Sequence, residues 1–324
     1  MIVLVADKFE QSGLDGIAGL GNEVRYEPAL KDDALRAGVI ESSAEVLIVR
    51  STKVPAEVME GSKLRLVIRA GAGYNTIDVA AATRLGIYVA NCPGKNSQAV
   101  AELAFGLLLS ADRHIPDNVA DLRAGKWNKK AFSQARGLCG RTLGLVGLGM
   151  IGKEMIPRAK AFGMRVVAHS QWLDETTAKE LGIEKVSLDD LAEQSDYVSV
   201  HSSLRPETRG LLGPEFFSKI KQGAVFVNTS RAEVVDQAAL LEAVHTRDVV
   251  AGLDVFEGEP DVPEGDYSGT LRYEPQVYCT HHIGASTDQA QQAVADEVVR
   301  IVRFFEASGT PPNAVNEPVS AGVR

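Results

Sequence analysis

Unbroken apolar runs, rather than alternating ones, mark the strands of this chain. "IVLVA" (2–6), "VLIVR" (46–50), "LRLVIRA" (64–70) and "GIYVAN" (86–91) follow one another, with helix-compatible sequence between them. A strand that is apolar on both sides is buried on both faces, as in a parallel sheet covered by helices. "SQAVAELAFGLLLSADRHI" (97–115) is the longest helical pattern. Ser97 is placed to cap its start, and its mostly apolar surface suits burial between layers.

The strand pattern then restarts with "RTLGLVGLG", "MRVVAHS", "SDYVSVHSS", "GAVFVNTS", "VVAGLDVFE" and "QVYCTHH". This second series predicts a parallel sheet of about six strands, the size of a dinucleotide-binding fold. "STDQAQQAVADEVVRIVRFFEAS" (286–308) reads as an amphipathic helix with Ser or Thr near its start. The turn-rich tail "GTPPNAVNEPVSAGVR" (309–324) reads as a loosely ordered arm. The expectation is therefore an α/β chain in which one α/β domain interrupts another. Residues 1–98 and 290–324 form the outer, discontinuous domain, and residues 99–289 the inserted one.

Composition adds exclusions. Apolar residues make up 45% and charged residues 24%, ordinary for a folded protein, and the net charge of −9 argues against a nucleic-acid partner. The longest basic stretch, "KWNKK" (126–130), is too short to track a phosphate backbone. Cys92, Cys139 and Cys279 form neither a disulfide framework nor a CxxC pair, which points to a reducing, cytoplasmic setting. "MIVLVADKF" lacks a basic leader and meets Asp7 at once, so it reads as a first strand rather than a signal segment. No apolar run approaches the roughly 20 residues that span a bilayer, and no membrane partner is expected.

The most informative stretch is "GRTLGLVGLGMIG" (140–152), where Gly147, Gly149 and Gly152 make GxGxxG between a strand and a helix. The first glycine permits a tight turn, the second the close approach of a pyrophosphate, and the third close packing of helix on sheet. A carboxylate for the adenosine ribose is expected about 20 residues on. The strand "RVVAHS" ends instead at Ser170, and the nearest acids, Asp174 and Glu175, lie beyond the tip. No arginine stands at 171 or 172 to attract a 2′-phosphate. The reading is NAD, with NADP left open.

Polar groups collect at the ends of the later strands: Arg231 in "NTSRAEVVD", Glu259 in "LDVFEGEP", and His281 and His282 in "CTHHIGAST". Arginine grips a carboxylate through a two-pronged hydrogen bond. A histidine with a pKa near its usual value of about 6.5 exchanges a hydroxyl proton as hydride moves. A glutamate on its second nitrogen fixes the tautomer. The paired histidines could instead be metal ligands, but HxxxH and HExxH spacings and a cysteine pair are all missing, so no metal is expected.

Together these stretches resemble the D-2-hydroxyacid dehydrogenase family, most closely its 3-phosphoglycerate dehydrogenase branch. The resemblance runs through "VRSTKV" (49–54), "RAGAGYNTID" (69–78), "NCPGKNSQAVAEL" (91–103), "GKWNKKAF" (125–132), the glycine loop, "VHSSLRPETRGLL" (200–212), "VNTSRAEVVD" (227–236), "GLDVFEGEP" (252–260) and "THHIGAST" (280–287). It implies an NAD(P)-binding Rossmann domain inserted in a flavodoxin-like substrate domain, with a cleft that closes over a small 2-hydroxy or 2-oxo acid. It implies Arg231 as catalytic arginine, Glu259 as orienting glutamate and His282 as proton carrier, with His281 standing where the family has proline.

The resemblance further implies cofactor contacts at Gly147, Gly149, Met150, Ile151, Gly152, Ser170, His201, Thr229 and Asp254. Gly71, Ala72 and Gly73 would offer backbone N–H groups to the substrate carboxylate, and Arg50, Ser51 and Arg69 would receive a distal phosphate. Surface charge or interdomain ion pairs are the alternative readings of these arginines. The implied reaction is reversible oxidation of 3-phosphoglycerate in serine biosynthesis, by a homodimer of the short form without a C-terminal regulatory domain. Reduction of glyoxylate or hydroxypyruvate needs the same three catalytic groups, and a nucleotide-sensing regulator the same fold. Departures from the family pattern are Asn75-Thr76 for Asp-Asn, Ser203 for proline, and Ala232-Glu233 after the arginine, which puts a carboxylate near an anionic substrate.

Overall fold

The apolar runs become strands of two parallel sheets. The computed structural model describes residues 1–260, 262 and 264–318. The chain divides into two compact units, Met1–Asn96 with Ala285–Arg324, and Ser97–Gly284.

The first unit holds β1 (Ile2–Val5), β2 (Glu23–Tyr26), β3 (Val46–Val49), β4 (Leu66–Arg69) and β5 (Tyr88–Asn91). They pair in parallel in the order β2-β1-β3-β4-β5, the flavodoxin-like order. Successive side chains go to opposite faces. Leu4, Leu47, Val49 and Val89 meet Leu35 and Val39 of the helix Asp32–Ser42. Val3, Val5, Val46 and Ile48 meet Val298, Ile301, Val302 and Phe305 of the helix Asp288–Ser308. The last helix thus returns to the sheet that the first strand began, and Thr287 caps it by accepting the Ala290 N–H at 3.2 Å.

The second unit holds β6 (Thr142–Val146), β7 (Arg165–His169), β8 (Glu184–Lys185), β9 (Tyr197–Val200), β10 (Val225–Asn228), β11 (Val250–Leu253) and β12 (Val277–Cys279). Their order, β12-β11-β10-β9-β6-β7-β8, is parallel throughout and reverses direction between β6 and β9. That reversal is the switch point of a doubly wound Rossmann sheet, where ligands bind beyond the carboxyl ends of the strands. The helix Ser97–Arg113 packs on one face through Ala101, Ala104, Phe105 and Leu108. Helices Pro214–Lys219 and Gln237–Arg247 cover the other. No helix among the described residues is long and apolar enough to cross a membrane.

The structure adds or alters three features. The edge strands β2 and β8 are absent from the apolar pattern because they carry charge: Arg25 pairs with Glu23 on β2, and Glu184 of β8 pairs with Arg165. The long helix begins at Ser97 itself and ends at Arg113, because His114 takes a left-handed φ of 49° before a second helix, Ile115–Arg123. His114 Nδ1 and the Asp117 carboxylate both bond the Tyr278 hydroxyl across that break. The tail is not a loose arm as far as Asn316, since Val315 donates to the Val89 carbonyl and the Asn316 side chain accepts from the Val89 N–H. Residues 319–324 of that stretch lie outside the described residues.

Glu297 is the polar anchor of the first unit. It is 4% exposed and accepts from Arg300 (3.0 Å), Lys95 (3.2 Å) and Asn313 (2.7 Å). Hydrogen bonding from Arg300, then from Lys95 and Asn313, overcomes burial and holds its carboxyl pKa down at about 2. A depressed carboxyl pKa stabilises the fold above the unfolded value and loses that contribution as pH falls through the folded one. Glu297→Gln is therefore expected to cost on the order of 3 kcal/mol at neutral pH. Denaturant unfolding at several pH values checks this: the gap between the two proteins should close between the ordinary value of 4.5 and about 2.

Candidate active site

β6 ends in the glycine turn, and the turn leaves little choice of residue. Gly147 has φ +91°, and a Cβ there would lie 2.6 Å from the Ser202 nitrogen. A Cβ at Gly152 would meet the Gly147 carbonyl oxygen at 2.6 Å, so the helix Met150–Ala161 packs directly against the turn. Gly149 caps that helix and faces open space. The first backbone bond of this helix runs from Lys153 to the Gly149 carbonyl (3.0 Å), so the amides of Met150, Ile151 and Gly152 remain as donors at its positive end.

Polar atoms buried without partners line the neighbouring strand ends. His201 follows β9, its Nε2 paired with Ser199 Oγ at 2.9 Å and its Nδ1 buried with no hydrogen bond. Burial pushes the His201 pKa down to about 3, so the imidazole is neutral. Thr229, after β10, has a buried hydroxyl that is likewise unsatisfied. Leaving such groups unpaired costs roughly 1–3 kcal/mol each. The residues fit a dinucleotide: a glycine cradle and helix amides for the pyrophosphate, and unsatisfied polar atoms further along the rim.

The three catalytic candidates come from adjacent strands. Arg231 follows β10, with Nη1 donating to the Ser230 carbonyl at 2.6 Å. Glu259 lies beyond β11 and His282 beyond β12. His282 Nδ1 and Glu259 Oε1 are 3.1 Å apart, and the side chains are 53% and 36% exposed. The hydrogen bond that His282 donates to Glu259 raises the His282 pKa against desolvation, while the positive charge of Arg231 opposes the rise. With Nδ1 occupied, Nε2 is left for a ligand.

Asp254, at the tip of β11, fixes this loop. Its carboxylate is 1% exposed and accepts from Thr280 Oγ1 (2.6 Å) and the N–H groups of Ile283 and Gly284 (both 2.9 Å). His282 between them is held at φ 54°, in the left-handed region. Both Asp254 oxygens are thus engaged by the loop that carries His282, a positioning role beside the cofactor contact the sequence suggests. His281 is exposed, and no group of His, Cys, Asp or Glu that could hold a metal occurs among the described residues.

In the first unit a second aspartate does similar work. Asp7, after β1, is 9% exposed and accepts from the N–H groups of Arg50 (2.6 Å), Ser51 (3.1 Å) and Thr52 (3.0 Å). Ser51 Oγ also turns to it at 3.4 Å, and Arg50 Nη1 donates to Gln291 Oε1 at 3.3 Å. The amides of this loop therefore hold a carboxylate of the chain itself, which leaves the Arg50 side chain as the group suited to an external anion. The Arg69 guanidinium folds over Gly71, where a Cβ would lie 1.4 Å from Nη1. The Ala72 carbonyl accepts from Asn91 Nδ2 at 2.6 Å, so the Gly73 N–H of the same trans peptide points the opposite way. Asp7 was visible in "VADK" only as an acid after a strand, and nothing in its surroundings marked the loop it holds.

Asp254→Asn replaces one acceptor by a donor facing a backbone N–H. Amide exchange at Ile283 and Gly284 is expected to quicken by about 10- to 100-fold, the loss of one charge-assisted bond. Hydrogen exchange followed by NMR or mass spectrometry measures it.

The model of the D-isomer specific 2-hydroxyacid dehydrogenase NAD-binding domain matches residues 105–284. D-3-phosphoglycerate dehydrogenase of Mycobacterium tuberculosis is 43% identical over 331 aligned positions, covering 99% of this chain. The chain spans 60% of that relative's length. Hydroxypyruvate reductase of Thermotoga maritima is also 43% identical, over 89% of this chain and 91% of its own. The NAD+-bound 3-phosphoglycerate dehydrogenase of Entamoeba histolytica matches in structure with a TM-score of 0.81 at 26% identity, covering 98% of this chain and 99% of its own. With a strand-ending glycine cradle and an arginine, glutamate and histidine on one rim, the chain belongs to the D-isomer-specific 2-hydroxyacid dehydrogenase family.

Proposed function

We propose that the chain is a D-3-phosphoglycerate dehydrogenase that interconverts 3-phosphoglycerate and 3-phosphohydroxypyruvate with NAD(H). The grouping of Arg231, Glu259 and the Glu259-bonded His282 in the unit that bears the glycine cradle supports the 2-hydroxyacid chemistry. The phosphorylated substrate rests on the 43% identity to a D-3-phosphoglycerate dehydrogenase over 99% of this chain, with Arg50 as the side chain suited to its phosphate. When bound, the nicotinamide supplies or accepts the hydride at substrate C2. In reduction, His282 donates its Nε2 proton to the carbonyl oxygen as that oxygen gains charge. Glu259 keeps Nδ1 protonated and favours the imidazolium that must exist beforehand. The Arg231 guanidinium binds the substrate carboxylate and fixes the reacting carbon. In oxidation the same imidazole accepts the hydroxyl proton. Ala72 and Gly73 are proposed as further carboxylate contacts, the expected Gly71 N–H being spent on the Arg69 carbonyl at 2.8 Å, and Arg50, with Ser51 and Arg69, as the distal phosphate site.

A second reading, reduction of hydroxypyruvate or glyoxylate, is favoured by the equal identity to a hydroxypyruvate reductase whose length the chain nearly spans. We further propose a cytoplasmic homodimer. Support for the dimer is the helix Ile115–Arg123, which exposes Ile115, Val119 and Leu122, followed by Trp127 at 81% exposure.

Nicotinamide absorbance with 3-phosphohydroxypyruvate, hydroxypyruvate and glyoxylate separates the two readings. The expected result is the highest kcat/KM for the phosphorylated acid. Arg50→Ala should raise its KM by about 10- to 100-fold and leave that of hydroxypyruvate alone. His282→Asn, which tolerates the left-handed backbone, should lower kcat by roughly 100- to 10,000-fold for every substrate. Equal or better use of glyoxylate would overturn the phosphoglycerate assignment and leave the histidine's role standing.

A further inference from the structure

The tip of β7 lacks the carboxylate that normally meets the adenosine ribose of NAD. Ser170 stands there, beside the glycine turn, because the Gly147 N–H donates to the His169 carbonyl at 2.8 Å. The nearest downstream acid is turned away: Asp174 caps the helix Glu175–Leu181 and accepts the Thr177 N–H at 2.7 Å. The basic residues of β7 itself do not serve the tip. Arg165, at the start of the strand, pairs with Glu184, and His169 Nδ1 faces the Val186 carbonyl at 3.2 Å.

A cation arrives from far along the sequence. The segment after β9 is rooted on the glycine turn, where Ser202 Oγ donates to the Val146 carbonyl at 3.3 Å and the Ser202 nitrogen closes over Gly147. Three residues on, the Arg205 guanidinium carbon lies 5.8 Å from the centroid of the Trp172 ring. The Trp172 backbone N–H in turn donates to Ser170 Oγ at 3.4 Å. Trp172 is 75% exposed, so core packing does not account for its place. Among the described residues no carboxylate is ion-paired with Arg205.

We infer that Arg205 and Ser170 form a subsite for a phosphate on the 2′ position of the adenosine ribose, so that the chain binds NADP(H) as well as NAD(H). The inference rests on the dinucleotide reading above and deepens it. A guanidinium matches a phosphate with two parallel N–H bonds, and the serine hydroxyl adds a third donor. The missing carboxylate removes the like-charge repulsion that rejects a 2′-phosphate. Trp172 holds the guanidinium by its ring face and leaves the N–H edges free.

The test is calorimetric titration of the intact protein with NADPH and with NADH, which needs no turnover. The expected NADPH Kd is within about 10-fold of the NADH Kd, and Arg205→Leu should weaken NADPH by about 10- to 100-fold relative to NADH. Ser170→Asp should shift the ratio further the same way by restoring the ribose acceptor. An NADPH Kd more than about 10-fold above that of NADH in the unaltered protein, or an Arg205→Leu effect equal on both nucleotides, would overturn the inference and leave NAD binding intact. Failure of both nucleotides to bind would overturn the dinucleotide reading and this subsite together.

Discussion

The carboxylate of Asp254 is the interaction on which the candidate site depends. It is buried at the tip of β11 and spends both oxygens on the loop from Thr280 to Gly284. A buried charge is tolerated only when hydrogen-bonded, and each such bond is worth roughly 1.5–3 kcal/mol. That is enough to hold a non-glycine residue in the left-handed region, where His282 lies. The histidine's direction, its reach to Glu259 and its free Nε2 all follow from that constraint. Asp7 repeats the device in the other unit, where a strand-end carboxylate takes three successive amides of the loop that carries Arg50.

Two imidazoles of the same unit are driven in opposite directions by their surroundings. His201 is enclosed without a charged partner, so burial keeps it neutral and suited to a fixed hydrogen bond. His282 is half-exposed and bonded to Glu259, so its charged form is favoured and it can carry a proton. This division of roles arises from environment alone, since the residue type is the same.

Much of this was legible in the sequence, and the gaps have physical causes. Inner strands such as "VLIV" and "VFVN" announce themselves because burial on both faces demands apolar residues at every position. The edge strands "EVRY" and "EK" do not, because these two carry charge. The glycine turn was readable because close backbone approach excludes every side chain. Arg231, Glu259 and His282 were readable as polar residues after apolar strands, and parallel pairing brings such residues to one rim. The loops held by Asp7 and Asp254, and the approach of Arg205 to Trp172, were not readable. They depend on side-chain direction across residues distant in sequence, which no local pattern encodes.

The central claim is that Glu259 keeps His282 protonated so that it can deliver a proton during reduction. The direct measurement is the pH dependence of kcat/KM for 3-phosphohydroxypyruvate reduction in the unaltered protein and in Glu259→Gln. The account predicts a fall in rate as pH rises through an ionisation above the ordinary histidine value of about 6.5. In the variant that fall should move to lower pH, because the negative charge that favours the imidazolium is lost while desolvation remains. An unchanged inflection in the variant would contradict the account, since the group that titrates would then not be the imidazole that Glu259 holds.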